Sequence, residues 1–135
     1  LTETRKQILI VDDDPHILFV WRAALARLSS PCAVETAENG REALAKFKER
    51  AFDLIVTDLR MVAMDGYELT EAVRCMDRHV PVIWITAHRQ PCTDTHAAEL
   101  DIYCCLDKPV SVALMRRVVG EALDVATGKG LTRPT

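Results

Sequence analysis

The sequence predicts an α/β fold: one doubly wound (βα)5 sandwich built on a five-stranded parallel sheet. Three observations predict it. Short aliphatic runs alternate five times with amphipathic stretches. The first, third and fourth runs are continuously apolar, the pattern of strands buried on both faces. Each run is separated from the next by enough chain for a helix, and strands joined through helices run parallel with right-handed crossovers.

The first strand is expected over Ile8 to Val11, which leads into Asp12, Asp13, Asp14 and Pro15. Proline suits the first turn of a helix, where its missing N–H would have no partner anyway, so Asp14 is the expected N-cap. The first helix, Pro15 to Leu28, puts Ile17, Trp21, Ala24 and Leu28 on one stripe. Phe19 lies off that stripe and is expected to be partly buried. A second strand follows over Ala33 to Thr36. Asn39 then caps a helix over Arg41 to Arg50, with Ala43, Leu44 and Phe47 inward. The third strand, Leu54 to Thr57, ends at Asp58. Gly66 closes the loop beyond it, where a positive φ is expected.

The third helix runs from Tyr67 to Met76, with Leu69, Ala72, Val73 and Met76 on its apolar face. The fourth strand is Val82 to Thr86; Trp84 shares the parity of Thr86 and reads as core. The stretch Arg89 to Leu100 is apolar only toward its end and predicts a short, loosely docked helix. The fifth strand, Ile102 to Leu106, is followed by Asp107, Lys108 and Pro109. Ser111 caps a last helix to Ala126 through Leu114, Val118, Ala122 and Val125. The domain is expected over residues 7–126, and TGKGLTRPT over 127–135 reads as a linker or disordered tail.

Composition narrows the function. A net charge of -3 without a basic run argues against direct nucleic-acid binding. No apolar stretch approaches the roughly 18 residues of a membrane span. The polar opening LTETRK resembles no leader, so a cytoplasmic location is expected; the missing initiator Met suggests a piece of something longer. The five cysteines fit neither a disulfide framework nor a zinc site and are expected as reduced, small apolar residues.

Ligands of an open parallel sheet sit beyond the carboxyl ends of its strands. The expected ends bring Asp12, Asp13 and Asp58 together, with Thr86 and Lys108 beside them. Like charges about 4 Å apart repel by roughly 4 kcal/mol at an effective dielectric near 20. Something must offset that repulsion. Three carboxylates carry -3; a divalent cation at +2 and Lys108 at +1 balance them. Few ligands, all of them oxygen, with room for water and phosphate oxygens, suit Mg²⁺ rather than Ca²⁺ or zinc. A carboxylate beside Mg²⁺, a hydroxyl and an ammonium is equipped to accept a phosphoryl group as an acyl phosphate.

Four motifs, ILIVDDD, LIVTDLRMVAMDG, PVIWITA and LDKPV, stand in this order. Together they resemble the response-regulator receiver domain, the phospho-acceptor module of two-component signalling, over nearly the whole chain. The resemblance implies a flavodoxin-like sheet of order 2-1-3-4-5, an order for which a chemotaxis member of that family is itself a standard example. It implies Asp58 as phospho-acceptor, Asp13 and Asp58 as direct Mg²⁺ ligands, and Asp12 acting through metal-bound water. The backbone carbonyl of Arg60 completes the protein ligands. Thr86 and Lys108 engage the phosphoryl group, and Pro109 follows a cis bond. The implied partners are a sensor histidine kinase or phosphotransfer protein and a downstream output domain, with phosphorylation-dependent homodimerisation as a further expectation.

Two positions depart from the family. Val62 stands where proline usually follows the loop methionine, which removes a fixed φ. Cys105 stands where a switch aromatic is usual, with Tyr103 two residues earlier and expected on the same strand face. His16, His79, His88 and His96 read as exposed polar residues, His88 lying nearest the site mouth. Two other functions fit the residues: a Mg²⁺-dependent small-molecule phosphatase or phosphotransferase, and an unphosphorylated pseudo-receiver acting as a binding module. Arg60, two residues after Asp58, argues against the first, since a second acid commonly stands there; the intact acid, Thr86 and Lys108 set argues against the second.

Overall fold

A computed structural model describes residues 5–26, 28, 31–87 and 95–126. The chain alternates strand and helix throughout: β1 (Lys6–Val11), α1 (Pro15–Leu25), β2 (Cys32–Ala37), α2 (Gly40–Glu49), β3 (Leu54–Asp58), α3 (Gly66–Met76), β4 (Val82–Thr86), α4 (Thr95–Leu100), β5 (Cys104–Asp107) and α5 (Val112–Ala126). The sheet has the expected order β2-β1-β3-β4-β5. Every pairing is parallel.

The helices take the faces that strand parity assigns. Ile8, Ile10, Leu54, Val56, Ile83 and Ile85 point to one side and pack against Leu18, Trp21, Met115 and Val119 of α1 and α5. Leu9, Val11, Ile55, Val82 and Trp84 point to the other and meet Ala43, Phe47, Leu69, Val73 and Ala97 of α2, α3 and α4. A fully buried side chain of this size contributes roughly 1.5–3 kcal/mol, so both layers are needed to hold the sheet. The register then aligns the strand ends. Val11 lies opposite Thr57, Asp58 opposite Ile85, and Thr86 opposite Asp107. All four functional strand ends therefore share one rim.

The expected caps form. Asp14 accepts the N–H of His16 at 2.9 Å, Asn39 that of Glu42 at 2.8 Å, and the Ser111 hydroxyl that of Leu114 at 3.0 Å. A capping box between Asp65 and Glu68, at 2.9 and 3.0 Å, starts α3.

Several expectations are corrected. Helix α1 stops at Leu25, not Leu28, although Leu28 still packs on the core. Ala26 is the C-cap, its N–H donating to Arg22 O at 3.1 Å. Phe19 is 74% exposed rather than partly buried. It sits about 100° round the helix from the inward Leu18, too far to turn in. The C-terminal end of α4 is not loosely docked. Arg74 donates from Nε to Leu100 O at 2.7 Å and from its guanidinium to Asp101 O at 3.1 Å and Val80 O at 2.7 Å. The segment expected from Arg89 into this helix, with His88 before it, lies outside the described residues up to Asp94, as does the expected 127–135 tail.

Candidate functional site

The rim gathers the site residues because β1, β3, β4 and β5 end on, or one residue before, Asp12, Asp58, Thr86 and Lys108. Asp12 keeps its N–H in the ladder, donating to Ala37 O at 3.1 Å. Its side chain turns back, and Oδ1 accepts the Asp14 N–H at 2.9 Å. Asp12 and Asp58 are buried, at 4% and 6% exposure, while Asp13 is exposed. Carboxylate oxygens of Asp12, Asp13 and Asp58 all lie within 4.8 Å of one another. The buried Thr86 ends β4, and its carbonyl accepts the Lys108 N–H at 2.8 Å. That bond aims the lysine across the rim. Its Nζ reaches Asp58 Oδ2 at 3.0 Å and Asp12 Oδ2 at 3.7 Å. The Lys108–Pro109 bond is cis.

The electrostatics follow from this crowding. Burial pushes the Asp12 carboxyl above its ordinary range; the Asp14 N–H and Lys108 pull it back, and Asp58 and Asp13 push it up again. Burial alone pushes the Lys108 ammonium down, but the hydrogen bond to Asp58 and the charges of Asp12, Asp58 and Asp13 outweigh it, so its pKa is raised. Lys108 therefore stays cationic at neutral pH. The rim still carries more negative than positive charge. An all-oxygen donor set with surplus negative charge and one exposed carboxylate fits a hard, partly hydrated divalent cation.

The β3–α3 loop borders these acids. The Arg60 N–H approaches Asp58 Oδ1 at 3.4 Å, longer than an ordinary hydrogen bond. Gly66 N–H donates to Leu59 O at 3.0 Å and closes the loop. The expected positive φ is not at Gly66. A Cβ there would collide with the Asp58 carbonyl and lie 2.9 Å from Leu59 Cα, so glycine is required for space. The left-handed residue is Ala63, at φ 73°.

Residues 8–119 match the family described as response regulator receiver domain. The chain belongs to that family. Receiver domains are signalling domains of two-component systems and not conventional enzymes; they bind Mg²⁺ at an acidic pocket and interact with histidine kinases and output domains. This receiver is 33% identical over 117 residues to the transcriptional regulatory protein GlrR of Escherichia coli (strain K12), covering 87% of this chain and 26% of that protein. It is 31% identical over 112 residues to the sensor histidine kinase RcsC of Salmonella typhimurium, covering 83% of this chain and 12% of the kinase. The chain thus spans a minor part of the regulators and kinases it matches. Among solved structures it superposes on a CheY-like receiver domain from Methanospirillum hungatei JF-1 with a TM-score of 0.85 at 28% identity, covering 94% of this chain and all of that one. The chemotaxis protein CheY4 of Vibrio cholerae gives 0.79, also at 28% identity, over 88% of this receiver and 99% of that chain.

The structure brings together Asp12, Asp13, Asp58 and Lys108, with Thr86 bonded through its backbone to Lys108. The switch residues are less simply placed. Cys105 lies opposite Trp84 and packs on the α3–α4 side. Tyr103 does not share that face; it lies before β5 and packs on the α1–α5 side. Parity fails because the strand pleat starts only at Cys104. Cys105 is also not a reduced thiol: it is disulfide-bonded, whereas Cys32, Cys75 and Cys104 are free. Sequence spacing is blind to a pairing that only the fold creates. Two further contacts carried no sequence signal. The Trp84 indole donates to Thr70 Oγ1 at 2.9 Å, and Gly40 contacts the β3–α3 loop through Met64.

Proposed function

We propose that this receiver is a phosphorylation-dependent switch in which Asp58 accepts a phosphoryl group from a phosphohistidine donor, with Mg²⁺. The observation that carries the proposal is Lys108 spanning Asp58 and Asp12, at 3.0 and 3.7 Å, at the mouth of a three-carboxylate cluster. Asp13, Asp58 and the Arg60 carbonyl would hold the cation, and Asp12 would act through water. When bound, Mg²⁺ neutralises charge on the acids and the incoming phosphoryl oxygens.

The chain's own groups do the rest. A carboxylate oxygen of Asp58 attacks phosphorus; the P–N bond breaks, and its electron pair stays on the donor imidazole. Lys108, already on Asp58 Oδ2, is placed to pair with the transferred oxygens, and the Thr86 hydroxyl hydrogen-bonds another. Hydrolysis later releases phosphate. The donor needs a surface beside this mouth. A groove of about 560 Å³ opens next to Lys108, lined by Ile17, Val20, Trp21, Val110 and Val112. Val20 and Val112, which line it, expose apolar surface, at 47% and 44%. This surface suits the apolar face of a histidine-bearing donor helix.

Acetyl phosphate with Mg²⁺, read by intact mass, tests the reading. Wild type gains one phosphoryl group and loses it slowly; Asp58→Asn gains none, and chelating the metal abolishes the gain. Rapid catalytic release of phosphate supports a phosphatase instead, and no mass gain in wild type supports a pseudo-receiver. The docking surface separates from the chemistry. Val20→Asp lowers phosphorylation by a kinase about tenfold, the effect of roughly 1.4 kcal/mol of lost binding, while the acetyl phosphate rate is unchanged.

A further inference from the structure

The β3–α3 loop is held from outside the acid cluster, and the residue that holds it is Gly40. Gly40 opens α2. The first N–H groups of a helix have no partner within it. Here the Gly40 N–H donates to the Met64 carbonyl of the loop at 3.0 Å. A Cβ at Gly40 would collide with that carbonyl and lie 2.7 Å from Met64 Cβ and Cγ. The Gly40 backbone is outside the left-handed region, so space and not conformation requires glycine. No larger residue fits unless the loop moves.

Inside the loop, Met61 and Met64 pack against the core, but the residues between them are weakly fixed. Val62 replaces the rigid proline of the family and is 79% exposed. Ala63 sits at φ 73°, a conformation unfavourable for a residue with a Cβ. The Arg60 N–H reaches Asp58 Oδ1 only at 3.4 Å. Two backbone bonds add to that packing. Gly66 to Leu59 closes the base, and Gly40 to Met64 ties the far limb to α2. Between them lies Arg60.

We infer that Gly40 is a positioning residue for the cation. It docks the loop on α2 and so sets how close the Arg60 backbone carbonyl lies to the acid cluster, although α2 contributes no ligand. The inference rests on reading that cluster as a Mg²⁺ site. By linkage, a tie that supports the cation is itself strengthened when the cation binds.

Isothermal titration of Mg²⁺ and amide hydrogen exchange test this together. In wild type, Mg²⁺ slows exchange of the Gly40 amide. Gly40→Ala weakens Mg²⁺ binding by about tenfold, the lower range for loss of an outer support of a metal site, and speeds exchange across residues 59–66. Acetyl phosphate labelling of that variant shifts to higher Mg²⁺ and recovers at saturation. Gly120→Ala is the control. Nothing lies within 4 Å of a Cβ there, and Mg²⁺ affinity stays at the wild-type value. A Gly40 amide indifferent to Mg²⁺ overturns the inference without any variant. So does a Gly40→Ala protein with wild-type Mg²⁺ affinity, or one whose exchange rises equally in every element. Wild type that binds no Mg²⁺ overturns the cation reading itself.

Discussion

Asp13 and Ala63 show how the site raises the energy of single residues. Asp13 is exposed, yet one of its oxygens lies within 4.8 Å of oxygens from two buried carboxylates. Neutralising it removes like-charge repulsion but also removes a proposed ligand. Asp13→Asn is therefore expected to melt higher than wild type without metal and to bind Mg²⁺ much more weakly. A lower melting point for the metal-free variant, by differential scanning calorimetry, contradicts the repulsion argument. Ala63 has the opposite economy. Its left-handed φ of 73° disfavours a Cβ by roughly 1–2 kcal/mol. Glycine removes that strain but loses about 0.5–1 kcal/mol through the unfolded chain. Ala63→Gly is expected to stabilise the domain by about 0.5 kcal/mol, measurable as a shift in urea midpoint at unchanged slope.

Elements are joined by side chains that sequence patterns pass over. Glu35 of β2 meets Lys46 of α2 at 3.3 Å and Arg50, just beyond α2, at 2.8 Å. Burial pushes the Glu35 carboxyl up, but the hydrogen bond from Lys46, then the charges of Arg50 and Lys46, bring it below its ordinary value. An acid with a depressed folded-state pKa adds stability above its unfolded pKa and loses it as pH falls through the folded one. Glu35→Gln is thus expected to cost no more than about 1 kcal/mol at pH 7, since the pair is partly solvated. The difference from wild type closes as pH falls from the ordinary value of 4.5. Urea titrations at neutral and acid pH check the sign. On the other side of the sheet, Arg74 fastens the end of α4 to α3 and to the segment before β4. That tie fixes the C-terminal end of α4.

The whole molecule places the chemistry on one rim and its reporter just behind it. Trp84 is fully buried, lies on the side of β4 that faces α3, and donates to Thr70. Beryllofluoride with Mg²⁺ is expected to change Trp84 fluorescence in a Trp21→Phe background. Hydrogen exchange is expected to change at the end of β4 and in early α4, with Leu100 and Asp101 held by Arg74. A change confined to residues 102–106 contradicts that route. The sequence alone determined the alternation of strands and helices, because continuous aliphatic runs and apolar stripes are local patterns. It also determined which residues stand at strand ends, because Asp12, Asp58, Thr86 and Lys108 follow directly from where those runs stop. The caps at Asp14, Asn39 and Ser111 were legible for the same reason. Only the tertiary structure decided the contacts between elements distant in the chain. Tyr103 and Cys105 parted to opposite faces because β5 begins one residue later than parity required. Gly40 came to rest on Met64. Parity and spacing describe one element at a time, whereas these positions depend on the distance between backbones that the packed core brings together.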